Sequence, residues 1–273
     1  ELQIDPSKVL GEGSFGRVVA GHFHGSPVAV KVSTGMASVA EEEDQGEHDM
    51  KCQLQEVRML RRLRHPNIAL FHGAVLDVSH GSVLLVLERL RGMTFDNAVL
   101  SEGSGQQRVL GPGDALRLLM DVCMALRYLH SRKPTIIHGD LKPSNIFAET
   151  ASGFPRFIRA KLLDFGLSHA RTRHAQPLGG SLLWIAPEVM EAGASPKASS
   201  DVYSLGRVLF FAATGRRPWN GESRAPFVRL LRSGRAPPLP WPAGAGGCAA
   251  ACRPLVEACS RHEPGGRPSA AEV

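Results

Sequence analysis

The chain changes character at Gly92, and that change restricts its fold more than any other feature. Before it, residues 9–32 show short β-branched and apolar runs broken by glycines, ending in Val28-Ala29-Val30-Lys31-Val32, the pattern of strands. Two further strands are expected at 68–76 and 83–87. Between them Leu54, Val57, Leu60 and Leu63 recur at helical spacing, in a helix that Pro66 should end. After Gly92, Leu116, Leu119, Val122, Leu126 and Leu129 mark a long helix with Asp114 as its expected N-cap. Residues 202–213 read as a second helix, apolar nearly all round. The segments 103–113 and 235–247 are rich in Gly and Pro and read as loops. Strands first and helices after predict an α+β chain of two lobes, 1–90 strand-rich with one helix and 91–273 larger and helical. A cleft between such lobes is where a ligand is expected.

Composition narrows the partners. Net charge is +6 and the pI about 9.3, which could suit nucleic acid. The aromatics are few and not interleaved with the basic residues, so no nucleic-acid partner is expected. The acidic knot at 41–49 reads as a solvated loop rather than a dock for a basic partner. Five cysteines, an odd number, argue against a secreted disulfide framework and for an intracellular, cytoplasmic setting. Cys248, Cys252, Cys259 and His262 are spaced like no common zinc finger, and the cysteines read as one packed helical face. No apolar run approaches the length of a membrane span, and no secretory leader opens the chain. It begins without Met and stops at Arg-Pro-Ser-Ala-Ala-Glu-Val, as a piece of a longer protein with regulatory domains elsewhere would.

Chemistry enters at Gly11-Glu12-Gly13-Ser14-Phe15-Gly16-Arg17-Val18. Glycines at this spacing let bare backbone N–H groups approach phosphate oxygens. A dinucleotide fingerprint would open a helix here, whereas this stretch continues as strand and so forms a hairpin. Fifteen residues after Gly16 stands Lys31, with Ala29 facing the same side. Strand propensity disfavours a lysine between valines, so a phosphate ligand is the better reading than an edge-strand charge.

Gly-x-Gly-x-x-Gly-x-Val, Val28-Ala29-Val30-Lys31, His138-Gly139-Asp140-Leu141-Lys142-Pro143-Ser144-Asn145, Asp164-Phe165-Gly166 and Ala186-Pro187-Glu188 follow one another as in a eukaryotic protein kinase domain. The resemblance extends through Asp201 and Arg267 and covers essentially the whole chain. It implies the bilobal kinase fold and a protein serine/threonine kinase using ATP and Mg²⁺, with Mn²⁺ able to substitute. By this resemblance Asp140 orients the acceptor hydroxyl, Lys142 steadies the transferring phosphoryl, and Lys31, held by Glu56, pairs the α- and β-phosphates. Asp164 and Asn145 would hold metal. Gly11, Glu12, Gly13, Ser14, Phe15, Gly16, Val18, Ala29, Leu87, Glu88 and Leu90 would line the nucleotide, with Leu87 as gatekeeper and 88–90 as adenine-binding hinge. His138 and Phe165 are expected to pack, and Glu188 to pair with Arg267. Lys142-Pro143-Ser144-Asn145 resembles the serine/threonine type. Trp184-Ile185-Ala186-Pro187-Glu188 and the run from His65-Pro66-Asn67 through Gly73-Ala74-Val75 resemble the tyrosine-kinase-like group, which includes Raf-type and mixed-lineage kinases and leaves dual specificity open. The substrate would be a protein with a Ser/Thr acceptor.

One residue departs from the family. Gly139 stands where the family usually has an arginine that binds a phosphate on the activation segment, here 164–188 with Ser168, Thr172 and Ser181. Activity independent of phosphorylation there is therefore expected. The competing readings are a pseudokinase scaffold, which would usually have lost Lys31, Asp140, Asp164 or the glycines, and a small-molecule phosphotransferase, against which Ala186-Pro187-Glu188 and Asp201 speak.

Overall fold

The computed structural model describes residues 1–13, 16–32, 54, 57–77, 82–100, 110–151, 156–164, 181–190, 195–219, 221, 223, 225–244 and 246–273. They fall into two compact units, Glu1–Arg91 and Gly92–Val273.

The first unit is an antiparallel sheet of β1 (Leu2–Gly13), β2 (Gly16–Phe23), β3 (Ser26–Val32), β4 (Phe71–Asp77) and β5 (Ser82–Glu88), in the order β1-β2-β3-β5-β4. Its first strand begins at Leu2, ahead of the expected 9–32 region. The irregular register between Asp5 and Val9 lets the polar Asp5-Pro6-Ser7-Lys8 run pass without ending the strand. Val19, Val28, Val30 and Val86 form a buried cluster, with Leu2, Ile4 and Phe23 packed against it. Alternation does the sorting: residues directly opposite across these strands share a face, so this cluster takes one side of the sheet. A helical stretch at 57–60 buries Leu60, and Leu63 follows it, also buried. It ends before Pro66 is reached. After the Arg61 N–Val57 O bond, those of Arg62 N to Met59 O and Leu63 N to Leu60 O span only three residues and tighten the last turn.

The second unit opens with β6 (Gly92–Thr94), which pairs with the β7 (Ile146–Thr150) and β8 (Phe157–Leu162) hairpin in a small antiparallel sheet. Its helices are α1 (Phe95–Val99), α2 (Pro112–His130), α3 (Ala198–Thr214), α4 (Ala225–Arg232) and α5 (Gly247–Cys259). α2 starts two residues before Asp114. Gly111 is the N-cap and Pro112 takes the first helical position, where its missing N–H costs nothing; Asp114 lies inside the first turn, favourable to the helix dipole. α3 is the hub. Every residue from Ser200 to Ala213 is buried, and both α2 and α5 pack on it. That is the expected fate of a helix apolar all round.

A bidentate ion pair closes the start of α3. Arg267 Nη1 and Nη2 donate to Glu188 Oε1 and Oε2 at 2.6 and 2.9 Å. Arg267 Nη1 also donates to Ser199 O, and Ser200 Oγ donates to Glu188 Oε1. Burial alone would raise the Glu188 pKa; the Arg267 guanidinium outweighs it and holds the carboxyl below the usual glutamate value. The expected pairing of Glu188 with Arg267 is present, with the arginine wholly buried. On α5, Cys259 is buried while Cys248 and Cys252 are only half so, a less uniform face than expected.

Candidate active site

The polar loop 136–145 follows α2, and Ile136 N donates to Leu129 O, tying its start to the helix end. What holds it next comes from 60 residues further along the chain. Asp201, in the first turn of α3, is 1% exposed. Its Oδ2 accepts the His138 N–H at 2.9 Å and Oδ1 accepts the Gly139 N–H at 2.9 Å. His130 Nε2 donates to the same Oδ2 at 2.8 Å. A buried carboxylate is tolerable because donors surround it.

His138, fully buried, takes a single tautomer. Its Nδ1 accepts the Asp140 N–H at 3.3 Å, so Nε2 carries the proton and donates to Leu163 O at 3.1 Å. Leu163 N donates in turn to Asn145 O at 2.8 Å. Two bonds thus tie the loop to the residue immediately before Asp164. The expectation that His138 packs rather than reacts fits this burial.

Between these anchors the backbone turns sharply. Gly139 adopts φ +76°, in the left-handed region where a Cβ is costly. Asp164 also sits at a positive φ, +59°. At the loop's working end, Lys142 Nζ donates to Asp140 Oδ2 at 2.7 Å. Asn145 Nδ2 donates to Asp140 O at 2.8 Å and to Oδ2 at 3.1 Å. Asn145 forms the end of a short 3-10 turn, Pro143–Asn145, that leads straight into β7. Its amide nitrogen is committed, which leaves its oxygen as the atom for a cation. One carboxylate and one amide oxygen suit a hard ion such as Mg²⁺. Among the described residues no group of three or more His, Cys, Asp or Glu could hold a metal.

The first unit carries the other predicted residues. Gly11 pairs with Val18, Glu12 with Arg17 and Gly13 with Gly16 in the β1–β2 hairpin, with Gly16 at φ +119°. Arg17 Nε donates to Glu12 Oε1 at 2.9 Å across the strands. Ser14 and Phe15, at the tip, lie outside the described residues. Val18 pairs with Lys31, Lys31 with Leu85 and Ala29 with Leu87. These share the face opposite the valine cluster. Lys31 is 8% exposed on β3, which lies between β2 and β5, so the edge-strand reading of this lysine fails. At the stretch expected to bind adenine, Glu88 N donates to Leu70 O at 2.9 Å and the Glu88 carboxylate accepts the Leu70 N–H at 2.7 Å. Glu88 is thus engaged by its own unit; Leu87 and Leu90 are half-buried. Glu56, Phe165 and the segment 165–180, with Ser168 and Thr172, lie outside the described residues.

A glycine-rich antiparallel hairpin, a buried strand lysine and an Asp–Lys–Asn loop preceding a β-hairpin that ends at an aspartate are now in view. The model of the protein kinase domain matches residues 4–273. The chain belongs to the protein kinase family. It is 34% identical over 268 residues to the serine/threonine-protein kinase CTR1 of Arabidopsis thaliana, covering 97% of this chain and 30% of that protein. To the probable serine/threonine-protein kinase drkD of Dictyostelium discoideum it is 33% identical over 271 residues, 97% of this chain and 19% of the relative. To mitogen-activated protein kinase kinase kinase 7 of Homo sapiens it is 30% identical over 279 residues, 99% and 41% respectively. The chain thus spans well under half the length of these curated relatives. CTR1 and drkD carry serine/threonine-protein kinase in their names, the type that Lys142-Pro143-Ser144-Asn145 resembles. Asp201 and His130 were not singled out as site-forming. The signal for Asp201 was an acid at the head of an otherwise apolar helix.

Proposed function

We propose that this kinase domain is an ATP-dependent protein serine/threonine kinase, transferring the γ-phosphoryl group of Mg·ATP to Ser/Thr hydroxyls of proteins. The observation that carries the reading is the state of Asp140. Lys142 and Asn145 both donate to its Oδ2, which leaves Oδ1 for the acceptor hydroxyl. Asp140 accepts or orients that proton, and the Lys142 ammonium, 2.7 Å away, steadies the transferring phosphoryl. Lys31 pairs the α- and β-phosphates and is held by Glu56, while the N–H groups of 11–16 cradle the phosphate chain. Val18, Ala29, Leu87 and the hinge at 88–90 receive the adenine. Asp164 and the Asn145 amide oxygen would hold Mg²⁺, or Mn²⁺ in its place, which supplies charge neutralisation on the phosphates when bound. The names of CTR1 and drkD support serine and threonine as acceptors.

Gly139 supports a second element of the proposal. At φ +76° and without a side chain, it offers no guanidinium for an activation-segment phosphate. Turnover then does not require phosphorylation within 164–188, and regulation acts through the helix bearing Glu56 or through domains elsewhere in a longer protein. Ser168→Ala with Thr172→Ala tests this: near-native turnover is expected, and its abolition would contradict the idea. Phosphoamino-acid analysis of the product should return phosphoserine and phosphothreonine; phosphotyrosine as the main product would overturn the assignment.

A further inference from the structure

The chain's basic residues are widely spread, but one stretch is short of acids. Residues 197–247 hold eight basic and two acidic residues, an excess equal to the net +6 of the whole chain. One of the two acids is Asp201, buried and committed to the loop at 136–145. On the surface, α4 presents Arg229 and Arg232 three residues apart, both exposed, and exposed Arg235 follows with its N–H bonded to Leu230 O at 2.9 Å. No acidic residue stands on α4. Among the described residues no carboxylate pairs with any of the three.

The rest of the helix fixes where these arginines face. Phe227 and Leu231 are buried on the inner side, Phe227 edge-on to Trp219 with centroids 5.4 Å apart. α4 packs against the turn Pro187–Met190, which directly follows the 181–185 segment. Basic residues in a last helical turn complement the helix dipole, but Arg235 lies beyond the helix and gains nothing from it. Three exposed guanidiniums within seven residues, with no carboxylate against them among the described residues, favour an anionic partner.

We propose that this arginine face docks an acidic segment of the protein substrate beside its acceptor residue. Its catalytic consequence rests on the kinase reading above; the binding itself does not. A protein segment fits better than the alternatives. Phe227, the only aromatic on α4, is buried and offers no base a stacking platform, and the helix turns its large apolar side chains inward rather than towards a membrane.

The test uses a fluorescent peptide with one serine and a run of Asp and Glu. Binding is followed by anisotropy and phosphorylation by transfer from Mg·ATP. The native chain should bind it, less tightly as salt rises, and Arg229→Glu/Arg232→Glu/Arg235→Glu should weaken binding by about tenfold or more. KM for that peptide should rise in parallel, with KM for ATP and turnover of a neutral peptide unchanged. Arg→Lys at the three positions should retain most of the binding, which separates charge from folding. Equal binding by the native and Glu variants overturns the proposal. So does tighter arginine-dependent binding of a single-stranded oligonucleotide or of anionic phosphatidylserine vesicles. Arginine-dependent peptide binding without any phosphate transfer would keep the docking face and sink the kinase reading; transfer with an unchanged peptide KM would do the reverse.

Discussion

The loop at 136–145 and the hairpin at 11–18 are both glycine-bearing polar segments, each in its own unit, yet they are held in different ways. The loop is fixed from outside itself. Asp201 receives two of its N–H groups and His138 ties it to Leu163, while Arg267 and Glu188 brace the helix start that carries Asp201. All of this is buried or nearly so. The hairpin is held by sheet register, Gly11–Gly13 against Gly16–Val18 and Arg17 and Val18 against β3, with the Glu12–Arg17 ion pair across its strands, whose side chains are 51–63% exposed. The difference follows from the work each is given. On the function proposed above, Asp140, Lys142 and Asn145 would present particular atoms to a reacting centre, and that takes preorganisation. On the same proposal the hairpin would offer backbone donors to phosphates, a task for which glycines leave the backbone room to adjust.

Breaking the loop's anchor should cost most. Asp201→Asn turns a donor towards N–H groups that now find an acceptor, and should remove about 3 kcal/mol or more of stability in urea unfolding, with turnover lost at temperatures where the fold persists. Loss of neither would mean that the loop holds itself. The Glu188–Arg267 brace gives a pH signature. Because the folded Glu188 pKa is depressed, its contribution is fully present above the unfolded glutamate value and is lost as pH falls through the folded one. The urea midpoint should fall over that acid range in the native chain, and Glu188→Gln should flatten that part of the curve. Gly139→Ala should cost about 1–2 kcal/mol through φ +76° alone, with the hydrogen bonds to Asp201 kept. Smallest of all, Glu12→Gln should change stability by roughly 0–1 kcal/mol, less at high salt. A large effect there would erase the contrast between the two regions.

What could be foreseen in the sequence tracks how local the cause is. The buried helix expected at 202–213 is observed as Ala198–Thr214, and the hairpin nature of the glycine-rich stretch was written in its strand pattern. The start of α2 differs from the expected one because a proline that reads as loop punctuation also fits the first helical position, which Pro112 occupies. β1 began earlier than expected because an irregular register absorbs a polar run. The individual residues Asp140, Lys142 and Asn145 could be named from motif and resemblance. Their anchoring by Asp201 and His130 could not, since those bonds span 62 to 71 residues and no spacing announces them. Gly139 could be flagged as a departure; its left-handed turn is imposed by the long-range anchors on either side of it, which no local pattern announces.

The most direct measurement is transfer of the γ-phosphate from Mg·ATP to a generic protein substrate by unphosphorylated chain, beside Asp140→Asn prepared identically. The account predicts transfer by the native chain and a loss of about a hundredfold or more in the variant, with ATP raising the melting temperature of both. No transfer from either, while ATP still shifts the melting temperature, would contradict it and leave a nucleotide-binding scaffold.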